Sequence, residues 1–191
     1  MSTKQKPAKE KFVDAALKMF AAKGFYGVSL ADLASELGLT KQAIIYHFKS
    51  KDALYAEVLA RLSARYEAVI DRVLAADCDA DEKWQLLLRE MFAHMETAPE
   101  DARLIMRELL DNSERAQQSH RWYLRRFLNE CVALVGNTHA WKGKSLHEQT
   151  AAVYQAIGAI NYLAISGPTL EAIWDKDRVR GLNDAFLHTL S

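Results

Sequence analysis

The stretch SLADLASELGLTKQAIIYHF, residues 29–48, decides how the N-terminal part of this chain folds. Its apolar residues recur at intervals of three and four, the spacing of helices, and Gly38 interrupts them. Two short helices that cross steeply need a small residue where they touch, and Ala34 supplies it. The turn between them needs a left-handed backbone, and Gly38 adopts one without steric cost. Leu33, Leu37, Leu39, Ile44 and Phe48 are predicted to make the small core beneath. The outer face of the second helix is then left to enter a major groove. Taken alone, the same spacing also suits an ordinary helical hairpin, so the flanks matter.

Upstream, residues about 8–23 place Phe12, Ala15, Ala16, Met19 and Phe20 on one helical face, and Gly24 closes that helix. Ser29 caps the next helix, about 30–37, and Asp32 completes a capping box. Gly38 and Thr40 turn the chain into a helix over about 41–47. Ser50 caps a long helix over about 51–75, with Leu54, Val58, Leu62, Tyr66, Val69 and Val73 in one stripe. The run DCDAD at 77–81 breaks the pattern. Further helices are predicted over about 82–97, 100–112, 115–136, 146–166 and 178–190. Pro99, Gly136-Asn137, the KGK of 142–144 and Gly167-Pro168 mark the joints. No run alternates with period two. The chain therefore reads as all-α: a three-helix DNA-binding head with a helix-turn-helix (1–50), then a helical-bundle regulatory and dimerisation domain (51–191).

The 191 residues are enough to bury a core without staples. Net charge is zero, which by itself does not suggest a nucleic-acid partner, but its distribution does. Residues 1–55 hold nine lysines and five acids, a net of +4, and the rest hold sixteen bases and twenty acids, a net of −4. A basic head on an acidic body is expected where only the head meets phosphate. Cys78 and Cys131 are far apart, with no CxxC pair. That argues against a disulfide scaffold and a cysteine zinc site, and a reducing cytoplasm is the expected location. The first residues, MSTKQKPAKEK, have no apolar core and do not read as a secretory signal.

Residues 149–170 carry no charge across 22 positions. A membrane span is one reading. Gln149, Thr150, Gln155 and Asn161 interrupt the run, and Ala and Gly dominate it, so a helix buried on several faces is the better one. Val153, Ile157 and Ile160 can meet the chain's own core. Ala152, Ala156, Ala159 and Leu163 are small enough to admit a second chain, with Val179, Leu182, Phe186 and Leu190 completing a homodimer seam.

The segment FVDAALKMFAAKGFYGVSLADLASELGLTKQAIIYHFKSKDALYAEVL, 12–59, closely resembles the N-terminal domain of the tetracycline-repressor (TetR) family. The likeness runs without a gap through AALKMFAAKGF, the Ala-Gly turn and the YHFKSKDAL exit. The resemblance implies a homodimer that binds double-stranded DNA at a palindromic operator, usually as a repressor. It puts DNA contacts on Thr40, Lys41, Gln42, Ala43, Tyr46 and His47, and phosphate contacts on Ser29 and Lys51. The chemistry agrees: Gln reads adenine, Lys reaches guanine, and Ala43 can pack on a thymine methyl. Three positions depart from the family pattern. Ile45 stands where a phosphate-binding Tyr is usual, Gln42 replaces a frequent Gly, and Ala43 a frequent Thr. Tyr46 or the lysines of the N-terminal tail (Lys4, Lys6, Lys9, Lys11) can take over the lost anchoring, or the tail is solubility charge.

The resemblance also implies a small-molecule pocket in the body, linked to the head by the long helix over 51–75. The effector expected is small and hydrophobic or amphipathic. Trp84, Met91, Phe92, Met95, Met106, Trp122, Tyr123, Phe127, Tyr154 and Asn161 are the pocket candidates. Trp84, Phe92, Met95, Met106, Trp122, Phe127, Tyr154 and Asn161 make up the expected ligand-binding set. Aromatic and Met residues at helical spacing are more often plain core. RAQQSHRWYLRRF, 115–127, suits an anionic inducer or, more simply, a solvated helix face. His94, His120, His139 and His147 show no metal-binding spacing. No catalytic motif is visible, so no enzyme activity, metal or cofactor is expected. Two rival readings remain: a regulator whose body binds a protein or only dimerises, and a helical enzyme or carrier with a vestigial head.

Overall fold

The structure, a computed structural model, describes residues 8–111 and 123–189. In chain order the helices are α1 (Ala8–Lys23), α2 (Leu30–Glu36), α3 (Lys41–Phe48), α4 (Lys51–Leu74), α5 (Ala80–Thr97), α6 (Pro99–Asp111), α7 (Arg125–Val135), α8 (Leu146–Ile173) and α9 (Lys176–Phe186), with a 3-10 turn over Leu187–Thr189. No strand occurs among the described residues, and the all-α reading holds. The first part of the helix expected over 115–136, with Trp122, lies outside the described residues. The chain divides into two compact units, Met1–Ala64 with Arg103–Tyr123 and Arg65–Ala102 with Leu124–Ser191. Both α4 and α6 run unbroken across the division.

The first unit is built on aromatic residues of α1, of the turn that follows it, of α3 and of α4. Phe20 meets Tyr55 edge-on at 4.8 Å between ring centroids, and Phe25 meets the same ring at 4.9 Å. Phe12 does the same to Phe48 at 5.9 Å, which joins α1 to α3. Edge-to-face pairs of this kind add directionality to the burial of large apolar surfaces. Leu33, Ala34, Ile44, Leu54, Val58 and Leu62 are buried around them. Far along the sequence, α6 supplies polar ties. The Arg107 guanidinium donates to the carbonyls of Ala21 (2.9 Å) and Ala22 (2.7 Å), satisfying acceptors in the last turn of α1 that have no partner within the helix. The buried Glu108 carboxylate accepts from the Tyr55 hydroxyl.

In the second unit, Tyr66, Val69, Ile70 and Val73 of α4 are buried with Leu87, Leu88, Met91 and Met95 of α5, Phe127 and Cys131 of α7, and Val153, Ile157 and Ile160 of α8. A fully buried carboxylate, Asp101, is held by the Arg65 guanidinium through both oxygens (2.8 and 3.0 Å) and by His94 Nε2 at 2.9 Å. A charge taken out of water needs such partners. On the outside, Arg126 pairs with Asp71 and holds that carboxylate below the usual range.

Two expectations change. Gly167-Pro168 does not end a helix, because α8 continues through both to Ile173. Proline removes one backbone donor, and the exposed position of Pro168 leaves its ring on the outside of the helix. The Ser166 hydroxyl donates to the Leu163 carbonyl at 3.3 Å within the same turn. The solvent face of α8 is also not the expected one. Ala156 is buried and Ala152, Ala159 and Leu163 are half-buried, whereas Ala151, Tyr154, Gln155, Gly158 and Tyr162 are exposed. The stripe that Val153, Ile157 and Ile160 turn to the core is wide enough to take in the adjacent alanine. No helix of the described residues is long and apolar enough to cross a membrane.

Candidate nucleic-acid interface

The interface is built from α2 and α3. Ser29 caps α2: its hydroxyl accepts from the Asp32 N–H at 3.1 Å, and the Asp32 carboxylate accepts from the Ser29 N–H at 2.9 Å. The Ser29 hydroxyl also donates to the Asp32 carboxylate at 2.6 Å, and this bond, followed by that from the Ser29 N–H, holds the Asp32 carboxyl below its ordinary value. The helix ends in a Schellman turn. Leu39 N–H reaches the Ala34 carbonyl at 2.8 Å and Gly38 N–H reaches Ser35 at 3.1 Å, with Gly38 at φ 64°. That closure turns the chain outward, so Leu39 is 47% exposed rather than part of the core expected beneath the motif. Leu37 is only half-buried, while Leu33, Ala34, Ile44 and Phe48 form that core as expected.

Thr40 starts α3, its hydroxyl accepting from Ala43 N–H at 3.3 Å. With Ile44 and Phe48 turned inward, Lys41, Gln42, Ile45, Tyr46 and His47 stand exposed on the other side, and Ala43 is half-buried between them. Tyr46 is 84% exposed, and its ring meets His47 edge-on at 5.3 Å. His47 lies 5.1 Å from the Phe12 ring, tilted 48° to it. The exit of α3 is strained. Lys49 has φ 64° and ψ −40°, with Ser50 N–H bonded across it to the Phe48 carbonyl at 2.7 Å. This is a tight γ-turn that a side-chain-bearing residue rarely adopts. Ser50 then caps α4, its hydroxyl accepting from Ala53 N–H at 3.1 Å.

Lys51 has a place that its sequence position did not reveal. Its ammonium donates to the carbonyls of Phe25 (2.8 Å) and Val28 (3.0 Å) and sits 4.1 Å from the Phe25 ring centroid. An ammonium has three donors, so one remains for another acceptor. Lys9 pairs with Glu57 at 2.7 Å, while Lys4 and Lys6 lie outside the described residues. Ser29 thus stands at the cap of α2, Thr40, Lys41, Gln42, Ala43, Tyr46 and His47 on α3 and its cap, and Lys51 at the start of α4, and the exposed ones offer donors, an aromatic ring and positive charge without a single acid on α3.

Residues 12–58 match the profile of the family described as bacterial regulatory proteins, tetR family. Residues 12–58 are thus similar to the N-terminal part of tetR-family proteins. The head is 44% identical over 46 residues to the HTH-type transcriptional regulator YerO of Bacillus subtilis, covering 24% of this chain and 16% of that protein. It is 37% identical over 49 residues to IcaR of Staphylococcus aureus, the negative transcriptional regulator of the biofilm operon icaADBC, covering 26% of each. The match therefore spans about a quarter or less of the length of these relatives. Along 95% of the chain, the fold is that of FadR from Bacillus subtilis, solved in complex with stearoyl-CoA, with a TM-score of 0.71, 18% identity and 96% of that chain covered. At 18% identity, the likeness to that structure is one of fold.

The described members of the expected ligand-binding set fall in both units. Met95, Phe127 and Tyr66 pack together: the Tyr66 ring meets Phe127 at 5.1 Å, and its hydroxyl faces the Met95 sulfur at 3.9 Å. Phe92 lies 6.0 Å from the Phe186 ring. Asn161 is buried, with its Oδ1 unpartnered among the described residues. Met106 belongs to the first unit, Tyr154 is 72% exposed, and Trp122 lies outside the described residues. Trp84 lines a cavity of about 790 Å³ beside the N-terminal half of α5. Burial pushes the Cys131 thiol well above its ordinary range, with the Glu130 charge acting in the same direction, so it is a poor nucleophile. Cys78 and Cys131 are both free, and no cluster of metal-binding side chains occurs among the described residues.

Proposed function

We propose that this protein is a sequence-specific DNA-binding transcriptional regulator, acting as a homodimeric repressor that a small molecule releases from its operator. The observation that carries it is α3: an eight-residue helix anchored by Ile44 and Phe48, with Lys41, Gln42, Tyr46 and His47 standing free on its outer face. Gln42 is placed to read adenine and Lys41 to reach guanine or phosphate, and Thr40, Ala43, Ser29 and Lys51 complete the contact set. Tyr46 takes the anchoring that Ile45, with no hydrogen-bonding group, does not supply. A reader of this kind needs two heads about 34–36 Å apart on a palindrome, so a second copy of the chain is required. The exposed face of α8 around Tyr154, Gly158 and Tyr162 is the surface offered for it.

An effector that prefers one arrangement of the heads over the other shifts the population by its differential affinity. The unbroken run of α4 from Lys51 to Leu74, through both units, is the element that carries such a bias. The stearoyl-CoA complex of a protein with this fold supports a hydrophobic or amphipathic effector. The cytoplasm is the location this activity requires. Replacing Lys41 and Gln42 singly tests the docking. In a salt titration of DNA binding, Lys41→Ala weakens all sequences alike and lowers the log–log slope by about one. Gln42→Ala instead relaxes preference at one or two base pairs, at about 1–3 kcal/mol each. Unchanged affinity and preference in both variants would contradict this docking.

A further inference from the structure

The cavity beside α5 is a built feature. Cys78 and the α5 residues Trp84, Gln85 and Arg89 form one wall, and Thr138 and Trp141 of the segment between α7 and α8 form the other. Its volume of about 790 Å³ lies within the range of small-molecule sites. The Trp141 segment is held in place. His139 N–H donates to both oxygens of Asp81 at 3.1 Å, Gln149 Nε2 donates to the Trp141 carbonyl at 3.2 Å, and the buried Thr138 hydroxyl donates to Val135 at 2.7 Å. A site whose walls are fixed before binding loses little entropy on binding.

The lining holds two acids and one guanidinium, that of Arg89. Its two acids are committed, Asp81 to His139 and Glu82 to the N–H of Asp79 at 3.2 Å in the α5 capping box. The guanidinium of Arg89, the amide of Gln85 and the indole N–H groups of Trp84 and Trp141 have no hydrogen-bond partner among the described residues. Of these donors the planar guanidinium is the most selective, since it pairs best with a planar carboxylate. The two indoles add flat apolar surface for an aromatic ring.

We propose that the Trp84–Arg89–Trp141 cavity binds a planar aromatic carboxylate. The site is separate from α3, and binding is read without DNA, so its outcome is independent of the DNA-binding reading. The full-length protein is titrated calorimetrically with 2-naphthoate and, separately, with 2-naphthylmethylamine. The expected result is saturable binding of the acid, one per chain, and no binding of the amine at concentrations that saturate with the acid. Arg89→Gln, at an exposed position, keeps the fold by circular dichroism and weakens the acid at least tenfold, and Trp141→Ala weakens it as well. Absence of saturable binding by the acid, equal binding of the amine, or an Arg89→Gln protein that binds as wild type would each overturn the proposal.

Discussion

Lys51 illustrates how a side chain can match a family's contact position and yet be occupied within the fold. Its ammonium bridges two carbonyls of the segment between α1 and α2 and covers the Phe25 ring, so it ties the start of α4 to the rest of the head. Hydrogen bonds from a charged donor contribute about 1.5–3 kcal/mol when partly buried. Lys51→Ala is therefore expected to lower the stability of the protein by that order in urea denaturation, whether or not DNA is present. An unchanged midpoint would mean that the bridge is not maintained in solution. The sequence could not show this, because the partners are backbone carbonyls more than twenty residues upstream that no side-chain pattern records. The left-handed Gly38, by contrast, was legible, since a turn between two short helices leaves few alternatives. Leu39 was not: its apolar character matched the core pattern, but the Schellman closure points it to solvent.

Helix ends were the most readable elements, because their chemistry is local. Ser29 with Asp32 and Ser50 cap where the sequence places them, Thr40 of the expected turn also caps α3, and Asp79 with Glu82 and Ser145 with Glu148 add two further capping boxes. The carboxyl of Glu148 is held below its ordinary value of 4.5 by the Ser145 side chain and then by the Ser145 N–H. A carboxyl with a depressed value in the folded protein contributes stability that is present above its ordinary value and is lost as pH falls through the lower, folded one. Glu148→Gln is thus expected to be less stable than wild type at about pH 6, with the difference shrinking as pH falls below 4.5. A gap independent of pH, measured by denaturation across that range, would contradict the charge's role. Pro168 marks the limit of such local reading. It signalled an end to α8, yet the helix runs on through the exposed Pro168 to Ile173. The ties of Arg107 to α1 and of Arg65 and His94 to Asp101 were equally invisible, since they join residues of opposite or complementary polarity with no fixed spacing.

Assembly and DNA recognition follow from how these parts combine, and there the sequence signals diverge. The head was readable because nearly fifty contiguous residues share one pattern, whereas the body's function rests on surfaces that composition does not mark. The uncharged run at 149–170 pointed to a second chain, but the stripe left free carries Tyr154 and Tyr162 rather than the small residues expected. Replacing both tyrosines with Glu places two like charges from each protomer at the proposed seam. The double variant is expected to be monomeric by light scattering at micromolar concentration and to lose high-affinity operator binding while keeping its helix content. A dimeric double variant would move the seam elsewhere. The central claim, that two copies of α3 read a palindrome, is tested most directly by selecting bound duplexes from a random DNA pool with the purified full-length protein at two salt concentrations. The account predicts enrichment of two inverted half-sites whose centres lie about one helical turn, or a multiple of it, apart, with the same sequence recovered at both salts. Recovery of no sequence, or binding that disappears at the higher salt without preference, would contradict it.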